Sequence, residues 1–339
     1  MVNYARIAGI AGALPEAVES NEMLAQRFPE WSAEKIGQKT GISQRHVAGP
    51  EEFVSDLAIR AARALIDQEG LDPESIDHVI VCTQAPDFYM PVSAALVHHA
   101  LGLRSNCGAN DINLGCSGFI YGLGLAKGLI ESHQAKKVLL ITADTYSKFL
   151  NPEDKSVRTI FGDGAAATLV TDGGTEKSLH AFDYGTDGSG ATGLIVPRGG
   201  LRSGADIDGG EKTMPEARGL APSRWDLYMD GPAIFNFTLR VVPESLDRIL
   251  TKAGLEMGDI DLFVLHQANA FMLKHLAKKT GIPADKMHIA MSDSGNTVSS
   301  TIPLALEDAA AAGRIQPGMR ILLLGFGVGL SWGGLIYQT

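Results

Sequence analysis

Gly70-Leu71-Asp72-Pro73-Glu74-Ser75-Ile76-Asp77-His78-Val79-Ile80-Val81-Cys82 has a weaker second copy, Gly254-Leu255-Glu256-Met257-Gly258-Asp259-Ile260-Asp261-Leu262-Phe263-Val264-Leu265-His266, at an offset of 254 − 70 = 184. In both copies a helix-period stretch runs into the glycine (Ala61-Ala62-Arg63-Ala64-Leu65-Ile66 and Leu246-Asp247-Arg248-Ile249-Leu250), and a short apolar run follows it. A second pair of runs, Lys137-Val138-Leu139-Leu140-Ile141 and Arg320-Ile321-Leu322-Leu323-Leu324, stands 183 apart by the same subtraction. Near-equal offsets point to one α/β unit used twice, with parallel strands covered by helices on both faces. The expected halves are 1–175 and 176–339. Within the second, 176–224 forms a connector, because Gly185 to Arg224 is dense in Gly, Asp, Ser and Pro and reads as loop and turn.

A chain of 339 residues with 45% hydrophobic and 20% charged residues has about two domains' worth of core and a globular composition. Its formal net charge of −10 repels phosphates, so no nucleic-acid partner is expected. Three cysteines form no even disulfide framework, and none stands in a CxxC or zinc-spaced cluster; a reducing cytoplasm and no metal are expected. The first residues show no charged segment leading into an apolar stretch, so no secretory signal is expected. The apolar run Ile321 to Tyr337 holds glycines at 325, 327, 329, 333 and 334, which suits buried strands joined by a tight turn better than a membrane span.

Four places carry possible chemistry. Cys116, in Leu114-Gly115-Cys116-Ser117-Gly118-Phe119, falls between a short strand and a helical pattern. At a helix N-terminus the exposed N–H groups would stabilise a thiolate and lower the thiol pKa, as an attacking cysteine requires; the alternative is a small buried apolar side chain. His266 closes the run Leu262–Leu265 and opens His266-Gln267-Ala268-Asn269, at a strand's C-terminal end where α/β folds place active residues; a structural histidine reads equally well from the residue alone. Asn296 leads from a strand-like run through Ser294-Gly295-Asn296-Thr297 into a helical pattern, which by itself is also a turn and cap. Gly325-Phe326-Gly327-Val328-Gly329 follows a strand and can present backbone N–H groups to an oxyanion. Gly122-Leu123-Gly124 and Gly162-Asp163-Gly164 do not complete a dinucleotide-binding turn.

Together, in this order and spacing, these motifs resemble the β-ketoacyl-acyl carrier protein synthase III family of the thiolase superfamily. The likeness extends over nearly the whole chain and includes Thr40-Gly41-Ile42, Arg45-His46 and Ser331-Trp332-Gly333. It implies a thiolase-like layered αβαβα fold built from two duplicated halves, and a catalytic triad of Cys116, His266 and Asn296. It implies that Cys116 takes an acyl group from a thioester primer, acyl-CoA or acyl-carrier protein. A decarboxylative Claisen condensation with malonyl-carrier protein then gives a β-ketoacyl thioester, for fatty acid or related polyketide biosynthesis. The N–H groups of Cys116 and Val328 would hold the oxyanion, and no cofactor is implied. Lys35 stands where relatives often hold a Trp, and Lys155 where an Arg often grips the CoA adenine. An aromatic–Arg sandwich is therefore not expected, although Lys35, Lys39 and Lys155 still mark the CoA region. The resemblance places an acidic carrier protein against the helix bearing Lys274, Lys278 and Lys279, with Phe271 standing where an Arg is common. It gives the acyl pocket to the loop with Asp87, Phe88, Tyr89 and Met90, reaching across a homodimer interface, and Asp87 and Tyr89 make that loop more polar than an acetyl site needs. The alternative of the same class is an acyltransferase using the cysteine to move an acyl group to an alcohol or amine in secondary metabolism. A non-catalytic scaffold and a cysteine hydrolase are weaker readings, since the triad is intact and nothing suggests a site for an attacking water.

Overall fold

In the computed structural model, which describes residues 3–197, 199–201 and 227–339, the repeated segments are equivalent parts of two sheets. The first half runs β1 (Tyr4–Ala13), β2 (Val18–Ser20), α1 (Asn21–Arg27), α2 (Ala33–Thr40), β3 (Gln44–His46), α3 (Val54–Glu69), β4 (His78–Cys82), α4 (Ser93–Ala100), β5 (Gly108–Ile112), α5 (Gly118–Glu131), β6 (Lys137–Asp144), α6 (Lys155–Arg158) and β7 (Gly164–Gly174). The second runs β8 (Leu179–Thr186), β9 (Leu194–Ile195), β10 (Tyr228–Met229), α7 (Gly231–Ala253), β11 (Leu262–Leu265), α8 (Ala270–Thr280), α9 (Thr301–Ala311), β12 (Arg320–Gly327) and β13 (Ser331–Gln338). Of the connector expected over 176–224, residue 198 and the stretch 202–224 lie outside the described residues; ahead of them come β8, a 3-10 turn at Gly188–Gly193 and β9.

The sheet orders are β1-β7-β6-β4-β5 and β8-β13-β12-β11. In each, two parallel inner strands are followed by two antiparallel pairings. The place of β5 is taken in the second sheet by a single parallel bridge from Phe263 to Met287, so the run before Asn296, expected to be strand-like, supplies one rung and no strand. Both repeat glycines end helices: Gly70 (φ 55°) closes α3 and Gly254 (φ 65°) closes α7, each in the left-handed region where glycine carries no steric penalty. The glycine-rich end forms the β12–β13 hairpin.

Burial follows the sequence periods. Along α3, Val54, Leu57, Ala58, Ala61, Ala62 and Leu65 face the first sheet, while β4 and β6 are buried along almost their whole length because helices cover both faces. α5 and α9 lie between the sheets, α3 and α4 cover the outside of the first, and α7 packs outside the second with α8 against it, giving the layers αβαβα. Leu322 and Leu324 are fully enclosed, and truncating either to Ala would cost about 2–5 kcal/mol. The layering sets the C-terminal ends of β4, β6, β11 and β12 and the starts of α5 and α9 around one centre. Among the described residues, no helix is long and apolar enough to cross a membrane.

Candidate active site

Cys116 sits in the turn between β5 and α5, two residues before the first helical residue, and is buried. Two glycines make that turn possible. A Cβ at Gly118 would stand 2.3 Å from Cys82 Sγ, and one at Gly115 would stand 2.4 Å from Gln84 Oε1. The β12 end approaches from the other half. A Cβ at Gly327 would lie 2.8 Å from Cys116 Sγ, a Cβ at Gly325 would lie 2.5 Å from the Cys116 carbonyl oxygen, and the Val328 N–H lies near enough to the sulfur to favour its thiolate. The helix start does not lower this thiol's pKa, contrary to the expectation from sequence. Complete burial first, and then the Asp144 carboxylate, push it up to about 12, against the opposing N–H groups of Val328 and Cys116 itself. At rest Cys116 is a thiol.

His266 follows the last residue of β11, where its N–H donates to Leu324 O at 2.9 Å. Burial holds its pKa down at about 3, so the ring is neutral near pH 7. Its Nδ1 lies 2.7 Å from Thr301 Oγ1, a distance that suits a hydroxyl donor, whereas the hydroxyl's other contact, Val298 O, is at 3.1 Å. The tautomer follows that hydroxyl's one proton: given to Nδ1 it puts the ring proton on Nε2, and given to Val298 O it leaves the ring proton on Nδ1. Asn296 accepts from Val298 N at 2.9 Å through Oδ1, and its Nδ2 reaches Ala268 O at 3.4 Å, leaving a second N–H for a ligand. That contact pins Val298 at φ 57°, an unfavourable conformation for a β-branched residue. Asp144, at the end of β6, accepts from Gln84 N (2.9 Å), Thr83 Oγ1 (3.4 Å), and Ser299 N (3.2 Å) and its hydroxyl. Full burial raises it to about 7 against those four donors.

Cys116, His266 and Asn296 line one cavity of about 560 Å³, whose walls are largely apolar. Trp31 and Lys39 also line it, together with Phe235 and Phe271. The ammonium groups of Lys35, Lys39 and Lys155 stand 5.4, 5.4 and 5.5 Å from the Trp31 ring centroid. Lys155 also pairs with Glu30 at 2.5 Å. Trp31, four residues before Lys35, supplies an aromatic face on which all three lysines gather, with no arginine opposite it among these contacts. Its place just before the Ser32 cap of α2 was the signal in the sequence.

Family models match two stretches: "3-Oxoacyl-[acyl-carrier-protein (ACP)] synthase III" over residues 110–188 and its C-terminal counterpart over 250–339. The β-ketoacyl-[acyl-carrier-protein] synthase III of Symbiobacterium thermophilum is 37% identical over 97% of this chain and 96% of its own length. The chain belongs to the β-ketoacyl-acyl carrier protein synthase III family. A crystal structure of a 3-oxoacyl-(acyl-carrier-protein) synthase III superposes with a TM-score of 0.94 at 51% identity, covering 99% of this chain and all of the other. A 3-oxoacyl-(acyl-carrier protein) synthase from Burkholderia xenovorans does so at 0.92 and 36%, covering 99% and 94%. The thiolase-like layering therefore holds for this chain as for its family.

The remaining expected residues fall in three places. Lys274, Lys278 and Lys279 are exposed on α8, whose start is capped by Asn269 accepting from Met272 N at 2.8 Å. Phe271 is half exposed, with the His275 ring 4.1 Å from its own. Phe88, Tyr89 and Met90 are exposed by 58%, 75% and 82%, and within this chain they line neither the main cavity nor the smaller one beside it. The Asp87 carboxylate accepts from Ser55 N (3.0 Å) and Ser55 Oγ (2.6 Å) at the start of α3. The smaller cavity is lined by this chain's Gln84, Tyr146, Leu194 and Val328. Sequence reasoning passed over Gln84, Tyr146 and Leu194, as it did Asp144 and Thr301.

Proposed function

We propose that the chain primes acyl-chain synthesis by loading a primer acyl group on Cys116 and condensing it, with loss of CO2, with a malonyl group on an acyl carrier protein. The observation that carries this reading is that Cys116, His266 and Asn296 line one buried cavity in which the histidine is neutral. In the first step a carbon–sulfur bond forms to Cys116 and the primer's thiol leaves with the cysteine proton, which balances the exchange without a resident thiolate. Malonyl thioester then enters. The C–CO2 bond breaks, and the Nε2–H of His266 and the free Nδ2–H of Asn296 stabilise the enolate on the thioester oxygen. Neutral donors suit this step because neither gives up its hydrogen bond between pH 5 and 8. Enolate carbon attacks the acyl-enzyme carbonyl, the N–H groups of Cys116 and Val328 hold the oxyanion, and collapse breaks the carbon–sulfur bond to give the β-ketoacyl thioester and the Cys116 thiolate, which takes a proton from solvent to return to the thiol. The reading calls for no metal or organic cofactor.

The test is intact-protein mass after exposure to acetyl-CoA, followed by CO2 release on adding malonyl-carrier protein, with Cys116→Ala as control. An acyl-sized gain absent from the variant, then CO2 and a chain two carbons longer, is expected. Acylation that ends in transfer to an alcohol or amine with no CO2 would replace condensation with simple acyl transfer.

A further inference from the structure

Beside the main cavity lies a second pocket of about 130 Å³ that shares Leu194 with it as a common wall. Val328, whose N–H meets the Cys116 thiol, lines this pocket, as do Gln84 and Tyr146. Tyr146 belongs to the same buried cluster as Cys116. Most of the lining is apolar, with Phe149, Leu194 and Leu227 on its walls. Three polar side chains, Asn113, Gln84 and Tyr146, interrupt it, and two of them are bonded to each other. The Tyr146 hydroxyl donates to Gln84 Oε1 at 2.6 Å, and the missing Cβ at Gly115 gives that oxygen its room. This fixes the amide by its oxygen. The two N–H donors of Gln84 Nε2 are left without a partner among the described residues. An amide so held at the wall of an apolar pocket costs free energy unless a ligand oxygen or water accepts from it.

Size and charge narrow the occupant. A cavity of about 150 Å³ holds a benzene, so 130 Å³ has room for roughly six non-hydrogen atoms. Among the described residues the lining holds no Lys, Arg or His, and the Asp144 carboxylate accepts from the Gln84 backbone N–H. A carboxylate would enter beside another acid with no cation among the described lining residues to meet it. We propose that this pocket receives a short primer acyl chain bearing a neutral oxygen acceptor, a hydroxyl or keto group, which Gln84 Nε2 reads while Tyr146 positions the amide.

This rests on the proposed function, since the occupant is a primer loaded on Cys116. The experiment sets acetyl-, butyryl-, 3-hydroxybutyryl-, 4-hydroxybutyryl- and succinyl-CoA against one another, reading acyl-enzyme mass and kcat/KM with malonyl-carrier protein. One hydroxybutyryl isomer is expected to exceed butyryl by roughly tenfold in kcat/KM, as one neutral hydrogen bond allows, with succinyl below both. Gln84→Leu and Tyr146→Phe should each carry the preference back toward butyryl while acyl-enzyme still forms. If acetyl-CoA loads and condenses but butyryl outruns both isomers, the inference falls alone and the pocket merely holds water. A hydroxyl preference that survives both variants overturns it equally. If no thioester acylates Cys116, the proposed function falls and takes the inference with it.

Discussion

At the end of β6, Asp144 of the first half accepts hydrogen bonds from Ser299 at the head of α9 in the second. At the matching end of β12, Gly327 of the second half faces Cys116 at the head of α5 in the first. The two crossings are one relation used twice: 327 − 144 and 299 − 116 both give the repeat offset of 183. A neighbouring pair is exchanged in the same way. In the first half Gly118 abuts Cys82, and in the second Thr301 bonds His266. One member of each pair of sites is thus closed by a side chain or tight packing, while the other has been opened or given a polar hold. Chemistry is possible where a glycine stands opposite the cysteine, because a sulfur that accepts an acyl group needs empty space beside it. Where an aspartate stands opposite a serine, the same architecture ties the halves together.

Closing the open crossing should have the largest effect. In Gly327→Ala the new Cβ would sit at 2.8 Å from Cys116 Sγ and 2.9 Å from its Cβ, so the sulfur must move. Misplacement on that scale costs about 100-fold in reactivity. Acyl-enzyme formation should fall by at least that factor while far-ultraviolet circular dichroism stays as in the parent. Full-rate loading of the variant would show that the gap at Gly327 is not what makes the first crossing reactive.

Two of the three cysteines of the first half, Cys82 and Cys116, sharpen the contrast without a mutation. Cys82 is fully enclosed and its thiol is pushed well above the ordinary range by burial, whereas Cys116 lines the cavity. Iodoacetamide should modify Cys116 and leave Cys82 untouched, as peptide mapping would read. With its pKa raised to about 12, Cys116 is the neutral thiol throughout the working range, and its thiolate fraction grows with pH. The rate should therefore climb about tenfold per pH unit from 7 to 9, without a plateau. A plateau near pH 7 would mean that the helix start outweighs burial after all.

That contrast also marks the boundary of what the sequence could reveal. The duplication was legible because both signals are local: glycine-closed helices at 70 and 254, and apolar runs a fixed distance behind them. Cys116, His266 and Asn296 were legible as motifs because glycines and strand ends announce tight turns. The Asp144–Ser299 bond joins residues 155 apart, and no local pattern signals it. The thiol's raised pKa was misread for a related reason, since a helix start is local and burial is a property of the assembled layers. Trp31 escaped notice because the position four residues later was the one compared.

Thr301→Val tests the polar hold on His266. Removing the hydroxyl leaves Nδ1 unsatisfied at a buried position, which costs about 1–3 kcal/mol, and removes the partner that couples the ring's tautomer to Thr301. Decarboxylative condensation should slow by about 10–100-fold, whereas loading of Cys116, which does not use the Nε2 proton, should stay within about 3-fold. Thr301→Ser, which keeps the hydroxyl, should restore most of the rate. Equal losses in both steps would make Thr301 a packing residue only.

The smallest expected effect concerns the helices that follow equivalent strands. α4, after β4, carries no lysine or arginine, whereas α8, after β11, exposes Lys274 and Lys278 one turn apart beside the cavity lined by Phe271 and Met272. If an acidic carrier protein meets the second half, reversing both lysines to Glu should raise the KM for malonyl-carrier protein by about 3–10-fold, since exposed pairs contribute only about 0.2–1 kcal/mol each. The KM for an acyl-CoA primer, which makes no use of that face, should hold steady, and added salt should narrow the difference between parent and variant. A KM for carrier protein that does not move would free α8 of the docking role and leave its lysines as a solvated face, no different in function from the uncharged α4.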